Sequence, residues 1–317
     1  MMIRRTAKDT LTPVEMFHGD TLIFTRLDGA VIPITLKETG AEIMHTTLPE
    51  PGIETHGAKT TYRFWGDFEI DGQALRLERE VGTQRSFYEP WVYGGVRIWF
   101  DAVDAIFDFM RETHGPCRLT PTASHHYPER KQARLAVQDA GARICPEPLH
   151  PWCPLPAEGL KIEHCYRGED CWMGAYDGAS AHGGLDINHP KGTPLHAPID
   201  FNTQFLIRTV KDGYFNNSWR GIRRWANGSE WTLLSAHMTE VIVPEHTPLQ
   251  RGTHYAVGAG VRVGAAEHSH FTFSLHDLGD HYVLDPWILF WQMYRDRDGL
   301  GEPVPARKDK RGSCKTC

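Results

Sequence analysis

Eighteen histidines in 317 residues make any single histidine a weak signal, so spacing and strand geometry must select the ones that do chemistry. In His268-Ser269-His270-Phe271-Thr272-Phe273-Ser274-Leu275, strand alternation puts Phe271, Phe273 and Leu275 on one face. His268, His270, Thr272 and Ser274 fall on the other. The two imidazoles then stand about 7 Å apart along the strand, within reach of one metal centre, one as ligand and one just beyond it. In Ala181-His182-Gly183-Gly184-Leu185-Asp186-Ile187, two glycines supply a turn, and Leu185 and Ile187 bracket Asp186 as an alternating strand does. Asp186 then points away from the apolar face, toward whatever His182 faces. In Trp231-Thr232-Leu233-Leu234-Ser235-Ala236-His237-Met238, His237 ends an apolar strand. Each piece alone also has an ordinary structural reading: exposed polar histidines, a glycine turn with a surface aspartate, a satisfied core histidine.

Their order along the chain, His182…Asp186…His237…His268-x-His270, resembles that of the LytM/lysostaphin-type zinc endopeptidases. Pro190-Lys191-Gly192-Thr193-Pro194-Leu195-His196-Ala197 is similar to that family's Gly-Thr-Pro turn and strand. Val257–Gly264 stands where its Gly-rich segment precedes His-x-His, and Asp285-Pro286 before an aromatic helix matches its usual close. The resemblance spans about residues 180–290. Departures are Ser235 where the family carries a tyrosine, Asn202-Thr203-Gln204 in place of Gly-x-Val, and a loose match over Val243–Tyr255, anchored only by Gly252.

The resemblance implies that His182, Asp186 and His270 ligate Zn2+, leaving a fourth tetrahedral position open as catalytic zinc sites do. It implies that His237 and His268 are the catalytic non-ligand histidines, which accept a proton from water and stabilise an oxyanion. The expected function is a zinc metallopeptidase, an endopeptidase hydrolysing peptide bonds of bacterial peptidoglycan stems or cross-bridges with a metal-activated water. The implied location is the cell envelope or extracellular space. Two alternatives stay open: a non-catalytic LytM-like scaffold that activates another cell-wall hydrolase, and a zinc-stabilised glycan-binding module, with Cys171 or His164 as a closing fourth ligand. His189, His196, His246, His254, His276 and His281 read as structural or surface residues. The segment His164–Cys171 directly precedes His182 and is expected to border the cleft, where it or the N-terminal region could shield the metal.

These residues need β-strands to hold them. Thr203–Val210, Trp231–Met238 and His268–Leu275 alternate, and Pro286–Tyr294 reads as a helix with Asp285 as N-cap and Pro286 at its first position. Upstream, Thr21–Arg26, Ala30–Leu36, Thr60–Ile70, Ala74–Val81 and Gly95–Phe100 are β-branched or aromatic segments broken by Asp-Gly and Gly-Gly. Asp101–Thr113 has a helical stripe of Val103, Ile106, Phe107 and Met110. The expected fold is mainly β: an antiparallel catalytic domain with a groove over 181–295, preceded by a small β-sandwich-like accessory domain over 1–115. Between them, 116–180 is a Pro/Cys/His-rich connector expected to run extended over the surface, and 296–317 is a polar tail.

Bulk composition agrees with a globular chain of two domains, 40% apolar and 23% charged. A net charge of −6, with no basic block beyond Arg307–Arg311, argues against a nucleic-acid partner. No apolar run approaches the roughly 20 residues that cross a bilayer. The basic start Met1–Asp9 has no apolar stretch behind it, so no signal peptide is expected in the sequence as given, and two readings stay open: a cytoplasmic protein or an export signal upstream of the start shown. Of seven cysteines, Cys117, Cys145, Cys153, Cys165 and Cys171 cluster, and Cys165/Cys171 close a short loop that suits either a disulfide or two reduced thiols. Cys314 and Cys317 lie in the polar tail. Peptidoglycan peptide is the one partner expected, with the oligomeric state left open.

Overall fold

The computed structural model describes residues 1–46, 60–106, 108, 131–168, 170–173, 175–176, 180–211, 214–215, 217–258 and 267–299. The first half contributes β1 (Met2–Thr6), β2 (Thr12–Met16), β3 (Thr21–Thr25), β4 (Val31–Thr46) and β5 (Thr60–Ile70). It continues with β6 (Gln73–Val81), β7 (Trp91–Tyr93), β8 (Val96–Val103) and β9 (Ala133–Asp139). Alternation is plain in β5, where Tyr62, Phe64, Phe68 and Ile70 are buried and Arg63, Asp67 and Glu69 face outward. Asp71 (φ 50) with Gly72 (φ 75) turns β5 into β6, and Gly94 (φ 54) with Gly95 (φ 76) turns β7 into β8. Left-handed φ at both turn residues matches the twist of the flanking strands.

Two sheets result, β1-β3-β4-β5-β6 and β2-β9-β8-β7. Phe100 of β8 meets Phe64 and Phe68 of β5 between them, with ring centroids 5.2 and 5.7 Å apart. The expected antiparallel sandwich has one parallel edge, β1 against β3, because the chain leaves the first sheet to lay down β2 in the second before returning. The extended connector expected over 116–180 needs correction. Its residues 133–139 form β9, buried along its whole length between β2 and β8: Leu135, Ala136 and Val137 fill the core, Arg134 is held by Glu15, and Gln138 donates to the Ala142 and Arg143 carbonyls. The helical stripe of Asp101–Thr113 is also altered: Asp101–Val103 finish β8, and Phe107 and Met110 lie outside the described residues.

The second half carries β10 (Ala175–Tyr176), β11 (Ser180–Ala181), β12 (Leu185–Asn188), β13 (Pro194–His196), β14 (Thr203–Ile207), β15 (Val210–Lys211) and β16 (Tyr214–Phe215). After these come β17 (Asn217–Arg224), β18 (Glu230–Met238), β19 (Glu240–Val241), β20 (His254–Val257), β21 (His268–Asp277) and β22 (Asp280–Leu284). Helix α1 (Trp287–Arg297) follows; Asp285 Oδ1 accepts the Trp287 backbone N–H at 2.8 Å, and Pro286 occupies the cap position. The main sheet runs β12-β21-β18-β17-β14, with β22 on β21, and every pairing in it is antiparallel. Trp219, Trp231, Leu233, Phe271, Phe273 and Leu275 fill the core behind it.

The proline-rich stretch before this half runs over the surface, with Pro146, Pro148 and Pro154 exposed, and sends Leu149, Trp152 and Cys153 into the core. Trp152 is fully buried, its ring 4.7 Å from Phe271 and 6.2 Å from Phe290, and its Nε1–H donates to the Tyr255 hydroxyl at 2.8 Å. Among the described residues no disulfide pins it: Cys145, Cys153, Cys165 and Cys171 are buried as reduced thiols, and Cys117, Cys314 and Cys317 lie outside the described residues. No described helix is long and apolar enough to cross a membrane.

Candidate metal centre

Strands β12 and β21 build the centre by their register. Asp186 lies opposite His270, and Asn188 opposite His268, so directly paired residues share a face. The glycine turn before β12 then folds His182 back onto that face. Three atoms converge there: His182 Nε2, Asp186 Oδ1 and His270 Nδ1. His182 Nε2 is 3.0 Å from His270 Nδ1 and 3.3 Å from Asp186 Oδ1, and Asp186 Oδ1 is 2.7 Å from His270 Nδ1. Ligands at about 2.0–2.1 Å from a tetrahedral zinc ion stand about 3.3 Å apart, so the His182–Asp186 pair already fits, and the shortest pair, Asp186–His270, needs to open by about 0.6 Å to accept one. Among the described residues this is the one group of three or more His, Cys, Asp or Glu side chains close enough to share an ion. The donor set and its spacing fit Zn2+.

The outward nitrogens are anchored as well. His182 Nδ1–H donates to the Cys171 carbonyl at 3.1 Å, which leaves the Nε2 lone pair for a metal. His270 Nε2 lies 2.9 Å from the Thr272 hydroxyl, which leaves Nδ1 facing the cluster. Gly184 is required by close approach. A Cβ there would stand 2.4 Å from His270 Cε1 and 2.5 Å from the Phe271 carbonyl. His182 and Asp186 are buried, while the His270 side chain is 13% exposed, so solvent reaches the cluster from the His270 side.

His237 and His268 complete the group. His268 Nε2 is 3.2 Å from Asp186 Oδ2, and its ring stacks on Tyr166 at 4.1 Å. The His237 ring centroid is 5.0 Å from that of His268 and 6.2 Å from that of His270. Alternation along β18 would aim His237 into the core beside Ser235. Instead the residue takes φ 62, and the pairing with β17 slips nearby, so its ring turns to the metal face and Met238 takes the core position. Histidine enters the left-handed region more readily than bulky or β-branched residues, at a cost of order 1 kcal/mol.

Burial and neighbouring charge set the protonation. Desolvation drives His237 down to about 3, so its imidazole is neutral near neutral pH. Burial alone would lower His182, but the adjacent Asp186 carboxylate overrides it and raises the group to about 9. Asp186 itself is held well below the carboxylate range: burial opposes this, and the facing His182, His268 and His270 outweigh it. His270 is lowered, chiefly by desolvation. A divalent cation among these atoms would displace the His182 proton.

All five residues singled out by spacing therefore sit in one cluster. Others went unnoticed in the sequence. Thr272 was legible, two residues beyond His270 on the same strand face. Tyr166 and the Cys171 carbonyl were not, since they arrive from a loop. That loop is the wall expected from His164–Cys171: the Asp170 carbonyl accepts the Asp186 N–H at 2.9 Å, and the Cys165 carbonyl accepts Asn188 Nδ2–H at 3.0 Å. Neither alternative fourth ligand turns a side chain to the cluster. The Cys171 thiol bonds Ser86 Oγ at 3.4 Å, and His164 Nδ1 accepts the Lys161 N–H at 3.0 Å.

No family model matches the sequence, and no curated protein matches it at a significant level. Solved structures similar to it include peptidases. Lysostaphin from Staphylococcus simulans is 15% identical, with a TM-score of 0.28; the match covers 40% of this chain and 47% of that one, about half its length. LytU is 23% identical over 37% of this chain and 79% of that one, with a TM-score of 0.29. A zinc-containing peptidase from Vibrio cholerae is 11% identical over 86% of this chain and 83% of that one, also at 0.29. Identities and scores this low leave the reading of the centre to its own residues.

Proposed function

We propose that the chain is a zinc-dependent endopeptidase acting on peptide bonds of bacterial peptidoglycan stems or cross-bridges, at the cell envelope or outside the cell. The observation that carries the reading is the convergence of His182 Nε2, Asp186 Oδ1 and His270 Nδ1, with His237 and His268 beside the solvent-reached edge. His182, Asp186 and His270 would hold the zinc. When bound, zinc supplies Lewis acidity and makes a hydroxide nucleophile available near neutral pH. His237, neutral and close to the cluster, takes up the proton released as water attacks the scissile carbonyl. His268, oriented by Asp186 and the Tyr166 ring, supports the developing negative charge, and the proton taken up by His237 passes on to the leaving amine. The Asp186 carboxylate joins both jobs, Oδ1 toward the ligand histidines and Oδ2 toward His268.

The test is metal content together with digestion of purified peptidoglycan. Wild type should carry zinc and release cleavage products. His182→Ala should lose the zinc, whereas His237→Ala should keep it and lose about 10²–10⁴-fold in turnover. Bound zinc with no product from wild type would replace this reading with that of a scaffold protein.

A further inference from the structure

The metal face of the main sheet continues away from the centre, and it carries a charge that nothing among the described residues answers. Leu234 of β18 lies opposite Thr272 of β21, and Arg220 of β17 lies opposite Leu234. Opposed residues on antiparallel strands share a face, so Arg220 stands on the same face as His270. Two strand spacings and two residues separate their Cα positions, roughly 12 Å. Phe205 of β14 is directly opposite Arg220 on its other side. Leu234 and Phe205 are half-buried, and Ile207, two residues along β14, is 45% exposed.

Every neighbouring arginine has a carboxylate. Arg224, on the same face of β17, pairs with Glu230 at 2.9 Å; Arg208 pairs with Glu245 at 2.8 Å; Arg223, on the opposite face, pairs with Glu147 at 2.9 Å. Arg220 has neither a hydrogen bond nor an ion pair among the described residues, and its Nε is buried without a partner. A guanidinium set among apolar side chains and left without a counter-charge costs stability unless something else repays it. Its planar fork suits a carboxylate, which it can hold by two parallel hydrogen bonds.

Resting on the endopeptidase reading, we propose that Arg220 is a specificity residue that binds a free carboxylate of the peptide substrate. That carboxylate would lie three to four residues from the scissile bond, since an extended peptide rises about 3.3 Å per residue. The substrate class is then an acidic peptide, or one with a nearby free C-terminus, lying across β18 and β17 over Leu234.

The experiment compares purified peptidoglycan fragments with the same fragments after conversion of their carboxylates to amides, using wild type, Arg220→Gln and Arg220→Lys. Wild type should cut the free-carboxylate material about ten- to a hundredfold faster in kcat/KM, mostly through KM. Arg220→Gln should lose that preference and cut the two materials at similar rates. Arg220→Lys should keep part of it, having the charge without the fork. Unchanged zinc content and melting temperature in Arg220→Gln would show that the fold is intact. Equal rates on both materials in wild type, or a preference that survives in Arg220→Gln, would overturn the assignment and leave the peptidase reading standing. Should wild type cut neither, the peptidase reading fails, and equilibrium binding of the same two materials decides alone. Tighter binding of the free-carboxylate form, lost in Arg220→Gln, supports the assignment; equal binding overturns it.

Discussion

At the scale of single residues, the proposed metal centre depends on atoms that would touch no metal. An imidazole has two nitrogens, and which one faces the cluster depends on what holds the other. His182 is fixed by the Cys171 carbonyl and His270 by the Thr272 hydroxyl, so one presents Nε2 and the other Nδ1. Thr272→Val keeps the shape and β-branching of the side chain and removes that hydroxyl. The His270 ring then loses its anchor. Zinc affinity should fall about 10- to 100-fold, the usual cost of losing an outer partner, measured by competition with a chelator. Melting temperature without metal should change little, which separates this effect from general destabilisation. An unchanged zinc affinity would mean that packing alone orients His270.

At the scale of elements, β12 and β21 work as one device because their register sets Asp186 opposite His270. Gly184 allows the turn to press against that pair, and a methyl group there meets a ring and a backbone carbonyl together. The carbonyl cannot rotate away, so Gly184→Ala must move β12 or expel the His270 ring. Such overpacking costs about 1–3 kcal/mol, and the expected outcome is a lower melting temperature together with weakened zinc binding. Much of this was legible in the sequence. The alternation of His268–Leu275 gave the face of both histidines, and the bracketed Asp186 gave the opposing strand. His237 was legible only by its place in the order His182, Asp186, His237, His268 and His270, since strict alternation aims it at the core. Its left-handed φ, which reverses that, is a tertiary choice. Strand β9 was hidden because its short apolar run sits in proline-rich surroundings, and Arg220 because a lone arginine on a strand has no signature until its neighbours are known.

At the scale of the whole molecule, the two halves are joined by charges inside a continuous apolar core. Arg79 of β6 pairs with Asp285, the residue that caps α1, at 2.7 Å with both side chains buried. Arg134 of β9 holds Glu15 of β2 and also donates to the Val283 carbonyl of β22. A chain beginning near residue 158 would lose Arg79, Arg134 and the Trp152 plug, so it should fail to give a cooperative melt rather than yield an unshielded enzyme. A cooperative melt with wild-type activity would show that the second half folds alone. Asp101 of β8 adds a pH dependence to this junction. Its Oδ1 accepts the Asp285 backbone N–H at 2.8 Å, and its Oδ2 is buried without a hydrogen-bond partner. Burial therefore raises its pKa to about 7, and Asp285 is raised for the same reason. An unfolded chain releases the Asp101 proton near pH 4, whereas the folded chain keeps it to about 7. In that window the native state binds more protons than the unfolded one, so stability falls as pH rises, by up to about 1.4 kcal/mol per pH unit from this group. Carboxylates held low, such as Asp20 and Asp67, act with the opposite sign and below that window. Asp101→Asn keeps the acceptor for the Asp285 N–H and cannot ionise. Denaturant melts at pH 5 and pH 7.5 should show wild type losing stability relative to Asp101→Asn on the rise, because buried His189 and His237, held low, act with the opposite sign in both proteins; parallel changes in the two would place the pH dependence elsewhere.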